Sequence, residues 1–173
     1  MGTSRKKLLP SVHLNEQPGY LMRRMHQISV GIFMAEVEGT GLTPIQFAAL
    51  QAVSQQPGID QKTLSKNVAL DTSTTGGVID RLEGRQLIER RANEQDRRAR
   101  LLYITPAGED ALRGIIPPML KAQEKILSPL SPAQQKTFMK LMCLLVDENN
   151  EHSRAPSHAT KTPPSSANPI RKK

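Results

Sequence analysis

The chain has one cysteine, Cys143, so no disulfide can form within it. That usage fits a reducing compartment, and a cytoplasmic protein is expected. No stretch reaches the roughly 18 consecutive apolar residues of a membrane-spanning helix, so no membrane partner is expected. The opening MGTSRKKLLPSVHLNEQ is basic but lacks the apolar segment of an export signal. There is no glycine-rich loop placed to cradle phosphate and no legible pairing of a nucleophile with a base. An enzyme is therefore not expected, nor a cofactor. His13, His26, His152 and His158 stand at no ligand spacing to cysteines or carboxylates, so no metal is expected either.

Acidic side chains are missing from both ends. Arg5, Lys6 and Lys7 lie in residues 1–7, and Arg154, Lys161, Arg171, Lys172 and Lys173 lie in residues 152–173, with no Asp or Glu in either segment. The formal net charge of +8 resides wholly there, and residues 8–151 balance to zero. Global basicity is a property of the tails, so a case for nucleic acid must rest on local clustering. Between Arg85 and Arg100 such a cluster exists: six arginines against Glu89, Glu94 and Asp96.

The chain is organised around residues 71–105, DTSTTGGVIDRLEGRQLIERRANEQDRRARLLYIT. Asp71 is an N-cap candidate, with hydroxyls at 72–75 in the first turn. Val78 and Leu82 are spaced to pack inward while the hydroxyl face stays outside. Gly84 is the expected stop. A short strand, a polar loop from Asn93 to Asp96 and a returning strand through Leu101–Ile104 follow.

One compact domain with appendages is expected. Residues 1–17 read as a mobile arm. From Pro18 a helix runs to about Glu38, with Leu21, Met25, Ile28 and Ile32 on one stripe and Met22, Phe33 and Val37 on other faces. A helix apolar over so much of its circumference is buried on several sides, which suggests sharing with a second subunit. Thr43-Pro44-Ile45-Gln46 combines an N-cap, proline at N1 and the glutamine of a capping box. Phe47, Leu50 and Val53 follow inward, and Pro57-Gly58 ends that helix. Asp60 caps a short helix with Leu64 and Val68 inside and Lys62 and Lys66 outside. That helix and the one at Asp71, joined by a tight turn, form a helix-turn-helix pattern. Thr105-Pro106 opens a helix with Leu112, Ile116 and Leu120 on one stripe, and a bend is expected at Pro117-Pro118. Ser131 to Gln134 repeats the capping box before a last helix carrying Phe138, Leu141, Met142 and Leu145. Residues 152–173 are Pro/Ser-rich and expected to be disordered.

From about Leu21 to Val146 the sequence resembles the MarR family of bacterial transcription regulators. LTPIQFAAL, DRLE (Asp80–Glu83) and DRRARLLYITPAG (Asp96–Gly108) carry the resemblance. It implies a mainly α fold with a small β wing, a winged helix-turn-helix core plus interlaced dimerisation helices. Residues 18–40 and 106–151 would dimerise, and 41–105 would bind DNA. A small ligand would weaken binding to a pseudo-palindromic operator. PGYLMRRMHQISVGIF, TPIQFAAL and PGIDQ are similar to a subgroup controlling aromatic-acid breakdown, which implies an aromatic carboxylate as effector. Gly76-Gly77 departs from the family pattern, and two interior glycines cost about 1 kcal/mol each. Close approach to DNA and relief of packing are both open.

Ser73, Thr74, Thr75 and Gly76, at the helix N-terminus, are the candidates for base edges and phosphates; plain capping is the alternative. Arg98 is the candidate for a minor groove, with Asp96 bracing the wing as the family's acid-x-Arg pattern implies. Arg97 and Arg100 are phosphate candidates. Arg81 either reaches a phosphate or pairs with Asp80 or Glu83. Lys66 either touches the DNA backbone or solubilises its helix. Arg23 and Arg24 would grip a carboxylate or form ion pairs. Tyr20, His26, Phe33, Gln46 and Phe47 would line that pocket. Cys143 reads as a buried structural thiol, with a redox-responsive repressor as the alternative. A sequence-tolerant architectural DNA binder driven by the tails is the rival from another class.

Overall fold

In the computed structural model, residues 13–93 and 100–157 are described. Six α-helices are joined by one small sheet: α1 (Pro18–Glu36), α2 (Pro44–Gln55), β1 (Ile59–Asp60), α3 (Gln61–Asn67), α4 (Thr72–Gly84), β2 (Ile88–Ala92), β3 (Arg100–Ile104), α5 (Pro106–Leu127) and α6 (Pro132–Glu148). Short 3₁₀ turns lie at Leu14–Glu16 and Asn150–His152.

Helix starts follow the side-chain chemistry expected of them. Thr43 with Gln46 and Ser131 with Gln134 each close a reciprocal capping box. Asp60 and Asp71 each cap twice over: Thr63 donates its amide and hydroxyl to Asp60 at 2.9 and 2.6 Å, and Thr74 donates the same pair to Asp71 at 2.8 and 2.6 Å. This repeated Asp-x-x-Thr unit starts both helices of the helix-turn-helix.

Their ends depart from the sequence reading. Gly84 is the last helical residue of α4, and the left-handed position is Gln86, at φ 58°. Leu87 N donates to Leu82 O at 3.0 Å and Gln86 N to Glu83 O at 2.7 Å, the paired bonds of a Schellman stop. Ala69, at φ 52°, ends α3 the same way, with Leu70 N donating to Ser65 O at 2.9 Å. Both helices thus end on residues with a Cβ, a conformation uncommon outside glycine and asparagine. Packing of Leu70 and Leu87 just beyond each stop holds it there.

The sheet has an element the sequence reading missed. Two-residue β1 pairs Ile59 with Leu102, giving the antiparallel order β1-β3-β2 with β3 central. Ile88 faces Ile104 and Ala92 faces Arg100 across the wing. Behind it, Leu50, Val53, Ile59, Leu64, Val78, Ile79, Leu82, Ile88 and Leu102 form a fully buried aliphatic core. Phe33 of α1 and Val37, its C-cap, join Leu112, Ile115 and Ala122 of α5 in its continuation. The inward stripe of α5 therefore runs Leu112-Ile115-Met119-Ala122, while Ile116 and Leu120, read from sequence as one stripe with Leu112, are exposed in the single chain. Lys121 and Lys125 close on Glu36 at 2.9 and 3.0 Å and tie α5 to the end of α1.

α5 continues past Pro117 and Pro118. The prolines remove donors to the carbonyls of Arg113 and Gly114, exposed residues whose carbonyls water can serve. The start of the region expected to be disordered is structured: Asn150 exchanges two side-chain bonds with the Ser157 backbone, at 3.0 and 2.9 Å. Residues 1–12 and 158–173, the bulk of the expected arm and tail, lie outside the described residues.

Candidate nucleic-acid interface

α4 divides cleanly by face. Thr75, Val78, Ile79 and Leu82 point into the core, and Ser73, Thr74, Asp80 and Arg81 are exposed. Ser73 and Thr74 lie in the first turn, where unsatisfied backbone amides and the helix dipole favour an anion. Thr75 corrects the sequence reading. It is wholly buried and its hydroxyl donates to Asp71 O at 2.9 Å, so it cannot reach a nucleic acid. Its position i+3 and i+4 before Val78 and Ile79 places it on the inner stripe.

The two glycines of α4 differ. A Cβ on Gly76 would stand 3.2 Å from Gln61 Nε2, whose amide donates to Thr72 O at 3.0 Å. Gly76 therefore leaves room for the bridge between α3 and α4. A Cβ on Gly77 would meet nothing within 4 Å. No neighbour among the described residues accounts for glycine there.

Arg90 of β2 takes both acids that Arg81 could pair with. Its guanidinium bonds Asp80 at 2.5 Å and also pairs with Glu83, so both acids flanking Arg81 are engaged. Partial burial opposes the Arg90 charge, and the bonds from Asp80 and the field of Glu83 outweigh it, holding the group more firmly protonated than usual. Arg81 stays exposed and, among the described residues, has no ion-pair partner. At the base of the wing Arg91 bonds Glu89 and lies 4.3 Å over the Tyr103 ring. Tyr103 in turn closes against the left-handed Gly58 turn. Arg100 is exposed at the start of β3, and Lys66 is half-buried on α3. Asp96, Arg97 and Arg98 lie outside the described residues.

The proposed ligand residues separate into two groups. Tyr20, Arg23, Arg24 and His26 lie together on α1, with the Arg23 and Arg24 guanidinium groups 5.3 and 6.0 Å from the Tyr20 ring. Arg24 and His26 border an open, mostly apolar groove of about 850 Å³ between α1, α5 and α6, floored by Met22, Met25, Met139 and Met142. Phe33, Gln46 and Phe47 are not in that groove. The two rings pack at 6.1 Å inside the core, and Gln46 Oε1 accepts from Thr43 N at 3.0 Å in the capping box. All three are buried in the single chain. Cys143 is exposed in the single chain, on the helix expected to dimerise.

The MarR family model matches residues 42–99, from the loop before α2 into the wing. The PcaV transcriptional regulator of Streptomyces coelicolor, solved in complex with its natural ligand, is 32% identical. It superposes with a TM-score of 0.75 over 80% of this chain and 98% of PcaV. This chain belongs to the MarR family. It is a winged-helix transcriptional regulator of that family. Bordetella bronchiseptica BpsR, whose structure concerns regulation of DNA binding by 6-hydroxynicotinic acid, is 31% identical, with a TM-score of 0.75 over 79% of this chain and 98% of that one. The transcriptional repressor NicR of Pseudomonas putida is 28% identical over 136 residues, 79% of this chain and 86% of NicR. Among the described residues of this MarR-family chain no helix is long and apolar enough to cross a membrane.

Proposed function

We propose that the chain is a dimeric repressor that binds an inverted-repeat operator and leaves it when a small aromatic carboxylic acid binds. The observation that carries this is the exposed face of α4. Its doubly capped N-terminus presents Ser73 and Thr74, its middle is open at Gly77, and Arg81 at its far end is left uncompensated by Arg90's hold on Asp80 and Glu83. Hydroxyls suit base edges and phosphates, and a free guanidinium suits phosphate. In this reading Gly76, Lys66 and Arg100 add to that face, and Arg97 and Arg98 with Asp96 complete the wing.

Dimerisation follows from the apolar surface. Leu21, Met22 and Ile28 on α1 and Leu141, Leu144 and Val146 on α6 are exposed in the single chain. Contiguous apolar area on this scale marks an association surface. A two-fold pair would set two α4 helices in successive major grooves about one helical turn apart. Residues 18–40 and 106–151 make the pair, and 41–105 meet the DNA.

For the effector, Arg23 and Arg24 beside Tyr20 offer guanidinium groups and a ring to a flat carboxylate. The likeness to BpsR, whose structure concerns regulation of DNA binding by 6-hydroxynicotinic acid, supports an acid of this class. Titrating benzoates, cinnamates and pyridine carboxylates against the protein–operator complex tests it. Release by at least one is expected, and no release or thermal stabilisation across the set removes the effector reading.

A redox-responsive repressor is the second reading, favoured by the exposure of Cys143. Peroxide release that is abolished in Cys143→Ser would establish it over the ligand.

A further inference from the structure

Three consecutive residues after the recognition helix are tied to two separate parts of the dimerisation scaffold. Arg85 reaches back across the chain, donating from Nη1 to Gly41 O at 2.7 Å and from Nη2 to Thr40 O at 2.8 Å. These carbonyls belong to the turn that follows α1, where Gly39 and Gly41 take φ of 91° and 65°. A Cβ on Gly41 would lie 3.5 Å from the guanidinium, so fork and turn are in van der Waals contact. Gln86 O accepts the Thr105 hydroxyl at 2.7 Å, and Leu87 O accepts Thr105 N at 3.1 Å. Thr105 is also the N-cap of α5. In the first turn of α5, a Cβ on Gly108 would fall 2.0 Å from Leu87 O, so strand entry and helix start abut backbone to backbone.

We infer that Arg85-Gln86-Leu87 is the joint that fixes the angle of the recognition helix against the dimerisation helices, with Arg85 its positioning residue. The left-handed Gln86 is a single-residue corner with two rigid elements on either side. On the α5 side the corner is closed by backbone packing. On the α1 side the polar link among the described residues is the Arg85 fork, which holds two adjacent carbonyls and so resists rotation as well as translation. Loss of the fork leaves α4 folded, because its core face and Schellman stop are independent of Arg85's side chain. What loosens is the direction in which α4 leaves the dimer body. In a two-fold assembly an angular error is doubled, and it is read as spacing between half-sites. This inference rests on the proposed function, since a spacing exists only for a dimer on an inverted repeat.

The test uses duplexes selected from a random pool by the full-length wild type, then remade with one base pair added or removed between half-sites. Each base pair rotates one half-site by about 35° and moves it about 3.4 Å. Wild type should prefer its own spacing by about tenfold or more, whereas Arg85→Gln should keep less than about threefold, mainly by losing affinity for the native spacing. Thermal midpoint and dimer mass should match wild type, and Arg85→Lys, with one point charge in place of the fork, should fall between the two. Unchanged spacing discrimination in Arg85→Gln overturns the joint. If Arg85→Gln does not fold, Arg85→Lys is judged by the same criterion, and wild-type discrimination in it overturns the joint. A wild type with no spacing preference would instead remove the inverted-repeat reading beneath it.

Discussion

Arg90 of the first wing strand donates to Asp80 of the recognition helix across 2.5 Å, and the same guanidinium pairs with Glu83 one turn on. One side chain thereby braces the wing against α4 and removes two acids from the neighbourhood of Arg81. The pairs are partly exposed, and such ion pairs contribute about 0–1 kcal/mol each. Arg90→Gln should therefore lower stability by no more than about 2 kcal/mol, while releasing Asp80 and Glu83 to face incoming phosphates. Operator affinity should fall further than the thermal midpoint suggests, and Asp80→Asn in the same chain should restore part of it. Calorimetry and fluorescence anisotropy on the four members of that cycle check the claim. Additive losses would show that Asp80 and Arg90 act separately.

Gly77 separates stability from binding. With nothing within 4 Å of its added Cβ, Gly77→Ala should stabilise the free protein by about 1 kcal/mol through helix propensity alone. The same methyl would stand on the face offered to DNA, so operator affinity should drop as the melting temperature rises. Gly76→Ala should gain less stability, because its methyl meets the Gln61 amide at 3.2 Å. Equal operator affinity in Gly77→Ala and wild type would make that glycine neutral for recognition.

Acid should loosen the helix-turn-helix from both caps. The hydroxyl and amide of Thr74 hold the Asp71 carboxyl below its ordinary value. At Asp60 partial burial pushes upward, but the Thr63 hydroxyl and amide outweigh it and the net direction is again down. Lys121 and then Lys125 depress Glu36 likewise. Carboxylates lowered in the folded state add stability that is complete above their unfolded values and lost as pH falls through the folded ones. Thermal midpoints should be flat above about pH 5 and decline through and below the ordinary carboxylate range near 4. Asp71→Asn keeps a capping side chain but cannot titrate, so its midpoint should decline less steeply. An identical acid limb in that variant would exclude the cap as a source.

Gly108 is a packing requirement with no conformational one. A methyl there would sit 2.0 Å from Leu87 O, on backbone that has little room to move. Gly108→Ala should cost about 1–3 kcal/mol by overpacking. Urea melts of Gly108→Ala and of Gly114→Ala, which opens onto free space, provide the comparison. A loss no larger at 108 than at 114 would contradict the contact.

Much of this is legible in the sequence. Capping residues announce themselves because the donor and acceptor are three residues apart, so Thr43, Asp60, Asp71 and Ser131 were all found from local sequence. The features missed depend on distant partners. β1 is two residues long and exists because Leu102 lies beside Ile59. Gln86 takes the left-handed corner because Leu87 beyond it packs into the core, whereas a local reading favours the glycine at 84. Thr75 was assigned outward with its hydroxyl neighbours, yet the spacing to Val78, Ile79 and Leu82 puts it inside. Phe33, Gln46 and Phe47 lie in the core, apart from the groove beside Arg24 and His26, a separation that residue type alone does not reveal. Arg85 looked like one more charge in a basic cluster, since its partners lie more than forty residues upstream.

The excess charge of the terminal segments gives a sharp contrast with the rival architectural reading. Deleting residues 152–173 should leave operator discrimination intact and reduce mainly salt-dependent, sequence-independent affinity. Loss of most specific binding in that truncation would favour a tail-driven DNA binder.

The most direct measurement is selection of duplexes from a random pool by the full-length protein, followed by footprinting of the enriched sequence. The expected result is an inverted repeat whose half-sites are centred about one helical turn apart, bound by one dimer. Ser73→Ala and Arg81→Ala should each weaken binding to it. Enrichment of sequences without two-fold symmetry, or no enrichment over the starting pool, would contradict recognition by paired α4 helices.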